Sequence, residues 1–189
     1  MGNVLFNKHL TVSDLETGVD EVLCSPKDNG TLELIVRRPQ VSKREVIGDG
    51  LLDSGCGLVG DNWLDRGSSR THDGKSHPEM QLNIMNYRFA ELVAGHRERV
   101  ALAGDQLFVD LDLSGENLPP GTRLAIGTAI IEVTPIPHLG CKKFVERFGL
   151  DAMKFANSEF GRKHSLRGIN AKVVQSGRIR IQDGLRKLL

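Results

Sequence analysis

The strongest constraint on the fold is that the β-like runs are short and most of them end at glycine or proline. Residues 107–136 read "LFVDLDLSGENLPPGTRLAIGTAIIEVTPI". The "LFVDLDLS" run (107–114) alternates apolar and polar residues, the period of a strand with one wet face. "TRLAIG" and "AIIEVTPI" (122–136) form a hairpin around Gly127-Thr128, with "GENLPPG" (115–121) as the turn-rich link before it. Glycine supplies 21 of the 189 residues and aromatics only 5%, so many turns and an aliphatic core are expected.

The same punctuation extends along the chain. "VDEVLCS" (19–25) and "TLELIVRRP" (31–39) read as a hairpin across "PKDNG", where Asn29-Gly30 readily takes positive φ. "GDGLLDSGCGLVGDNWLDRGSS" (48–69) is too rich in glycine for a long helix, and "QLNIM" (81–85) reads as a buried strand. Asn86 caps a helix over "YRFAELVAG" (87–95), which stops at Gly95. Helices also follow over 141–148 and 150–158, so helices concentrate in 86–100 and 141–158. "INAKVVQSG" and "RIRIQDGL" (169–185) close the chain as a strand pair across Ser176-Gly177. Seven or more short strands with a few helices predict a mainly β, closed barrel-like fold in a single domain, 1–189.

Charge and cysteine usage narrow the function. With 25 basic and 24 acidic side chains, net charge +1, the chain has no electrostatic reason to take nucleic acid or an anionic membrane as its main partner. No apolar run approaches a membrane span, and the first residues do not read as a signal peptide. Three cysteines are too few and too scattered for a disulfide framework, which points to a reducing, cytoplasmic setting.

One of the three stands out. "TPIPHLGCKKFVERFG" (134–149) ends a β-like run and turns helical at Cys141, with Phe144, Val145 and Phe148 as one apolar stripe. Lys142 and Lys143 follow at once. A thiol at a helix start beside cations favours its thiolate, the form that acts as nucleophile and metal ligand. The bland alternative is a buried structural cysteine, the reading taken for Cys24 in its strand and Cys56 in its glycine loop. His138 and Cys141 lie at metal-sharing distance in sequence, but no second pair at ligand spacing exists, so His138 reads as a loop residue or a neighbour of the pocket. The chain contains no G-x-S-x-G, no G-x-x-x-x-G-K-[ST] and no H-E-x-x-H. Its glycines at 48–60 are not a dinucleotide-binding fingerprint, and Asp49, Asp53 and Asp61 read as turn residues.

Taken in order, "GLVGDNWLDRG" (57–67), "MQLNIMN" (80–86), "LAGDQLFVDLDLSGENLPPGTRLAIGTAIIEVTPIPHLGCKKFVERFG" (102–149) and "RGINAKVVQSGRIRIQDGLR" (167–186) resemble the MOSC domain, named after the C-terminal domain of molybdenum cofactor sulfurases. The resemblance spans roughly residues 19 to 186. It implies a MOSC-like closed β-barrel and a molybdenum cofactor (molybdopterin) held near Cys141. It also implies that Cys141 works either as a sulfur carrier through a persulfide or as a direct molybdenum ligand. Asn117 matches a position that contacts the pterin in such proteins, and Arg123, Arg167, Lys142 and Lys143 are chemically suited to its phosphate. Gly140 departs from the family, where a proline or larger residue is common before the cysteine. The chain is filled by the MOSC-like region and has no pyridoxal-phosphate sulfurase domain, so a sulfur carrier of this kind requires a separate sulfur-donor protein. A reductase of N-hydroxylated substrates requires instead an electron-transfer partner. A third reading is a non-enzymatic β module that keeps the fold without the site.

Overall fold

Strand pairing begins at tight turns that the sequence specifies. In the computed structural model, which describes residues 9–188, strand β1 (Gly30–Arg37) is followed by β2 (Glu45–Ile47), β3 (Asp49–Asp53), β4 (Gly57–Leu58), β5 (Leu82–Asn86) and β6 (Leu107–Asp110). The later strands are β7 (Arg123–Ile126), β8 (Ala129–Pro137), β9 (Ile169–Gln175), β10 (Gly177–Arg180) and β11 (Gly184–Leu188). The helices are α1 (Val12–Leu23), α2 (Trp63–Arg66), α3 (Tyr87–Ala94), α4 (Lys142–Phe148), α5 (Leu150–Asn157) and α6 (Glu159–Lys163). β7 and β8 pair from Ile126 opposite Ala129, leaving the expected two-residue loop Gly127-Thr128. Gly127 takes φ +56 there, and a Cβ on it would meet the Arg178 carbonyl at 2.3 Å.

Seven strands close on themselves in the order β11-β7-β8-β9-β5-β6-β1, with β1 returning to β11 through Gly30 opposite Leu185. β5 and β6 run parallel, and the other ladders of the ring are antiparallel. β2 extends from β1, while β3, β4 and β10 form a separate three-stranded sheet. The barrel is filled by alternate residues of its strands, among them Leu32, Leu82, Ile84, Val109, Ile131 and Leu185. A second core lies on its outer face, where Met85 and Phe108 meet Leu15, Phe89, Phe144 and Phe148 from the helices. The MOSC-like closed β-barrel with helical additions is therefore the fold of the chain.

Three local expectations are corrected. Residues 19–23 belong to α1, so there is no hairpin with 31–39. Thr11 and Asp14 form a reciprocal capping box, and Leu15, Val19 and Val22 bury one helical face. The spacing of that face and the cap outweigh the β-branched composition. Next, the strand at 107–114 stops at Asp110 and has no wet face, because Phe108 is sealed beneath the helices and Asp110 is engaged by Arg88 at 2.7 Å. Finally, β9 and β10 do not pair across Ser176-Gly177. β9 lies between β8 and β5, whereas β10 leaves the barrel to pair with β3. Gly177 permits the departure, since a Cβ there would stand 2.4 Å from Thr128 backbone atoms. The caps at Asn86 and Gly95 form as expected: Asn86 Oδ1 accepts from the Phe89 N–H at 3.0 Å and Gly95 is left-handed.

Candidate functional site

The site begins where β8 runs out. Pro135 and Pro137 have no N–H for the ladder, and the β8–β9 register shifts between Val133 and Pro137. The chain then passes through His138, Leu139 and Gly140 to Cys141, the N-cap of α4. Gly140 donates its N–H to Asn157 Oδ1 at 3.0 Å, and a Cβ on it would sit 2.9 Å from Met153 Cγ. Close packing against α5 thus accounts for glycine at this position. Phe144 and Phe148 anchor α4 from below, their rings 5.0 Å apart, which leaves the Cys141 side chain exposed. Its sulfur makes no capping bond, and its backbone carbonyl accepts from Phe144 and Val145.

Two buried ion pairs form the floor. Arg38, just past β1, donates through Nε and Nη2 to the two oxygens of Asp61, each at 2.8 Å, and through Nη1 to Asn83 Oδ1 and the Gly104 carbonyl. The side chains of this pair are 5% and 0% exposed. Arg167 places Nη1 3.0 and 2.8 Å from the Asp105 oxygens, donates Nη2 to the Ala103 carbonyl and lies over the Phe144 ring at 4.9 Å. Burial pushes the Asp105 carboxyl up, against the pull of Arg167. His138 Nδ1 approaches Asp105 Oδ1 at 3.4 Å without the alignment of a hydrogen bond. Burial, then the charges of Arg167, Arg38 and Arg70, hold His138 well below the usual imidazole range, so it is neutral at neutral pH.

Above this floor opens a cleft of about 180 Å³ that exposes Cys141 and is walled by cations. Arg44, Arg66, Lys143 and Arg147 all line it, and among the described residues no carboxylate lies within ion-pair distance of any of them. In two of them burial, with a smaller push from neighbouring cations, lowers the pKa. Arg44 is pulled down to about 10 by burial and then by Arg147 and Arg38. Arg66 is lowered by burial and by Arg38. Of five buried side-chain polar atoms without a partner among the described residues, four belong to side chains that line this cleft: Arg44 Nε, Asn62 Oδ1, His138 Nδ1 and Arg167 Nε. Buried polar groups are nearly always satisfied in native proteins, so the two guanidinium donors among them, Arg44 Nε and Arg167 Nε, leave capacity for an acceptor in the cleft, whereas Asn62 Oδ1 calls for a donor.

Of the sequence-predicted residues, Cys141, Lys143 and Arg167 meet at this cleft, although Arg167 already holds Asp105. Lys142 is exposed beside it and does not line it. Asn117 lies elsewhere, so its expected convergence with Cys141 does not occur. Its amide nitrogen donates to the Lys27 and Asp112 carbonyls at 2.9 and 2.7 Å, and its oxygen accepts from Lys187 Nζ at 2.9 Å. It ties the turn at 112–117 to the barrel end. Arg123 is on β7, engaged by Glu132 at 3.0 Å. Cys24 is the exposed C-cap of α1 rather than a strand residue. Asp61, read as a turn residue, is the buried partner of Arg38. Sequence reasoning missed Arg38, Arg44, Arg66 and Arg147. Only Arg147 carried a local signal, two helical turns on from Cys141. Arg38 and Arg44 come from the loop between β1 and β2 and Arg66 from the end of α2, segments that the fold brings together.

Among the described residues no group of three or more His, Cys, Asp or Glu side chains is placed to hold a metal ion, and no helix is long and apolar enough to cross a membrane. No family model matches the sequence, and no curated protein matches it. Solved structures do match. The YuaD protein of Bacillus subtilis aligns over 84% of this chain and 95% of its own, with TM-score 0.63 and 15% identity. YiiM from Escherichia coli aligns over 84% and 70%, with TM-score 0.53 and 20% identity. YiiM from Geobacillus stearothermophilus aligns over 85% and 75%, with TM-score 0.53 and 15% identity. At such identities the likeness is one of fold, and the chain is similar to these proteins in its barrel and its helical additions.

Proposed function

We propose that the chain binds a molybdopterin-type cofactor in the basic cleft and carries sulfur on Cys141, as a cytoplasmic MOSC-domain protein. The observation that carries the reading is the gathering of four cations without a carboxylate partner and two orphaned guanidinium donors, Arg44 Nε and Arg167 Nε, around one exposed cysteine. The donor set fits the group. Arg44, Arg66, Lys143 and Arg147 suit phosphate oxygens, and Cys141 is a soft ligand for molybdenum. With no cluster for a bare ion among the described residues, a metal here would be one delivered by its own organic ligand, to which the protein would add the Cys141 sulfur. Bound there, the cofactor would supply a metal able to change oxidation state and accept a terminal sulfur. The chain's own part is to neutralise the phosphate, keep Cys141 exposed and hold a neutral His138 beside it.

A second reading has one observation in its favour. An apolar cleft of about 390 Å³, lined by Leu118, Pro135, Pro137, Leu139 and Ile169, shares His138 and Arg167 with the basic cleft. That suits an organic substrate, as in a molybdenum-dependent reductase of N-hydroxylated compounds served by an electron-transfer partner. Protein purified from molybdate-fed cells tests both. Retained pterin with cyanide-labile sulfur on Cys141 supports the carrier, stoichiometric molybdenum without labile sulfur supports the reductase, and absence of pterin and metal together defeats both.

A further inference from the structure

We propose that Cys141 is charged with sulfur directly by a small inorganic sulfur oxyanion, with thiosulfate as the fitting donor, without docking a donor protein. The inference deepens the sulfur-carrier reading and rests on it for the use later made of the sulfur. Three features of the cleft carry it. Its volume of about 180 Å³ admits a compact oxyanion beside Cys141. Its wall presents Arg44, Arg66, Lys143 and Arg147, charges that no carboxylate of the described residues neutralises at ion-pair distance. At its base Arg167, 5% exposed, has an Nε with no partner among the described residues. The exposed Cys141 sulfur belongs to the same cleft.

The chemistry balances within that cleft. The Cys141 thiolate attacks the outer, sulfane sulfur of thiosulfate and forms a new S–S bond. The bond between the sulfane and sulfonate sulfurs breaks, and its electron pair leaves with the sulfonate as sulfite. A persulfide anion remains on Cys141. One anion and one dianion enter, one anion and one dianion result, and no outside oxidant or reductant is needed. Charge builds on the departing sulfite, where fixed cations in a partly desolvated wall stabilise it best. Arg147, six residues beyond Cys141 on α4, and Lys143 are held close by the helix that positions the sulfur.

The test is to incubate reduced protein with thiosulfate, measure sulfite release and locate the added sulfur by peptide mass spectrometry. Cyanide is then added to follow turnover as thiocyanate. The expected result is one added sulfur atom on the Cys141 peptide with equimolar sulfite, both lost in Cys141→Ser. Lys143→Gln and Arg66→Gln are expected to lower kcat/KM for thiosulfate by about tenfold each, the loss of one charge-assisted contact. Arg186→Gln, which removes an equal charge from exposed β11, is expected to leave it unchanged. Absence of sulfite and persulfide, sulfur appearing on Cys24 or Cys56 instead, or full activity in both cleft variants overturns the proposal. Retained pterin in protein that ignores thiosulfate would remove this inference alone. Charging by thiosulfate in protein that never retains pterin would remove the cofactor reading alone.

Discussion

The Asp61→Asn substitution isolates the electrostatics of the cleft floor with almost no change in shape. Asp61 accepts from the Arg38 N–H, Nε and Nη2 at 2.9, 2.8 and 2.8 Å and from the Trp63 N–H at 3.0 Å. Asparagine removes the charge and turns one acceptor into a donor facing other donors. The Arg38 guanidinium, 5% exposed, would then stand desolvated without its counter-ion. Breaking a buried pair by removing one partner costs about 3–5 kcal/mol. That is a large share of the roughly 5–15 kcal/mol that holds a domain folded. At about 2–4 °C per kcal/mol for a chain of this size, Tm should fall by roughly 6–20 °C. Urea melts with an unchanged m-value would measure the loss. The comparison is Arg123→Ala, which breaks a pair whose arginine is 58% exposed and should cost no more than about 1 kcal/mol. Arg38→Gln combined with Asp61→Asn should recover part of the loss, because no buried charge remains. If Asp61→Asn proved as mild as Arg123→Ala, Arg38 would have to be solvated, and the picture of a dry, paired floor beneath unpaired cations would be wrong.

Two more outcomes follow from the same surroundings. Cys141 should be alkylated faster by iodoacetate than by iodoacetamide, with the preference fading at high salt, because the cleft cations attract the anionic reagent. Cys56, half-buried with its thiol pushed up by burial and by Asp53, should react slowly with both, and an equal reagent preference at Cys24 would refute the attribution. Stability should also fall as the pH drops below about 6.5, the usual imidazole value, because the unfolded chain protonates at His138 while the folded one holds it neutral. His138→Gln should remove that part of the slope, whereas an unchanged profile would show that His138 takes up its proton as readily in the fold as in the unfolded chain.

Much of this was legible in the sequence where local chemistry decides structure. The hairpin at Gly127-Thr128, the cap at Asn86 and the stripe Phe144–Phe148 follow from residues that touch their own neighbours. α1 was misread because the β-branched Val19 and Val22 suggest a strand although their spacing of three is helical, and the deciding capping box at Thr11 and Asp14 lies before the stretch read as a strand. Cys141 was found from its immediate neighbours. Its cleft was not, since Arg38, Arg44, Arg66 and Arg167 come from separated stretches brought together only once the barrel closes. Asn117 pointed elsewhere for a similar reason: its three partners, Lys27, Asp112 and Lys187, are scattered along the chain.

The seam between β1 and β11 gives the barrel a late step in its assembly. Gly30 and Thr31 meet Leu185 and Gly184, which are separated from them by every other strand, so a long loop must be drawn shut before the ring exists. Closure of that kind is slow, because the entropy of the loop is lost before the contacts that reward it are made. During synthesis the half-built sheet waits with β1 and β7 lacking the neighbour they will share, and their bare N–H and C=O groups are open to any extended chain nearby. Substitutions that weaken β11 should therefore show first as poor soluble yield in the cell, even where the small amount that does close is as stable as the parent.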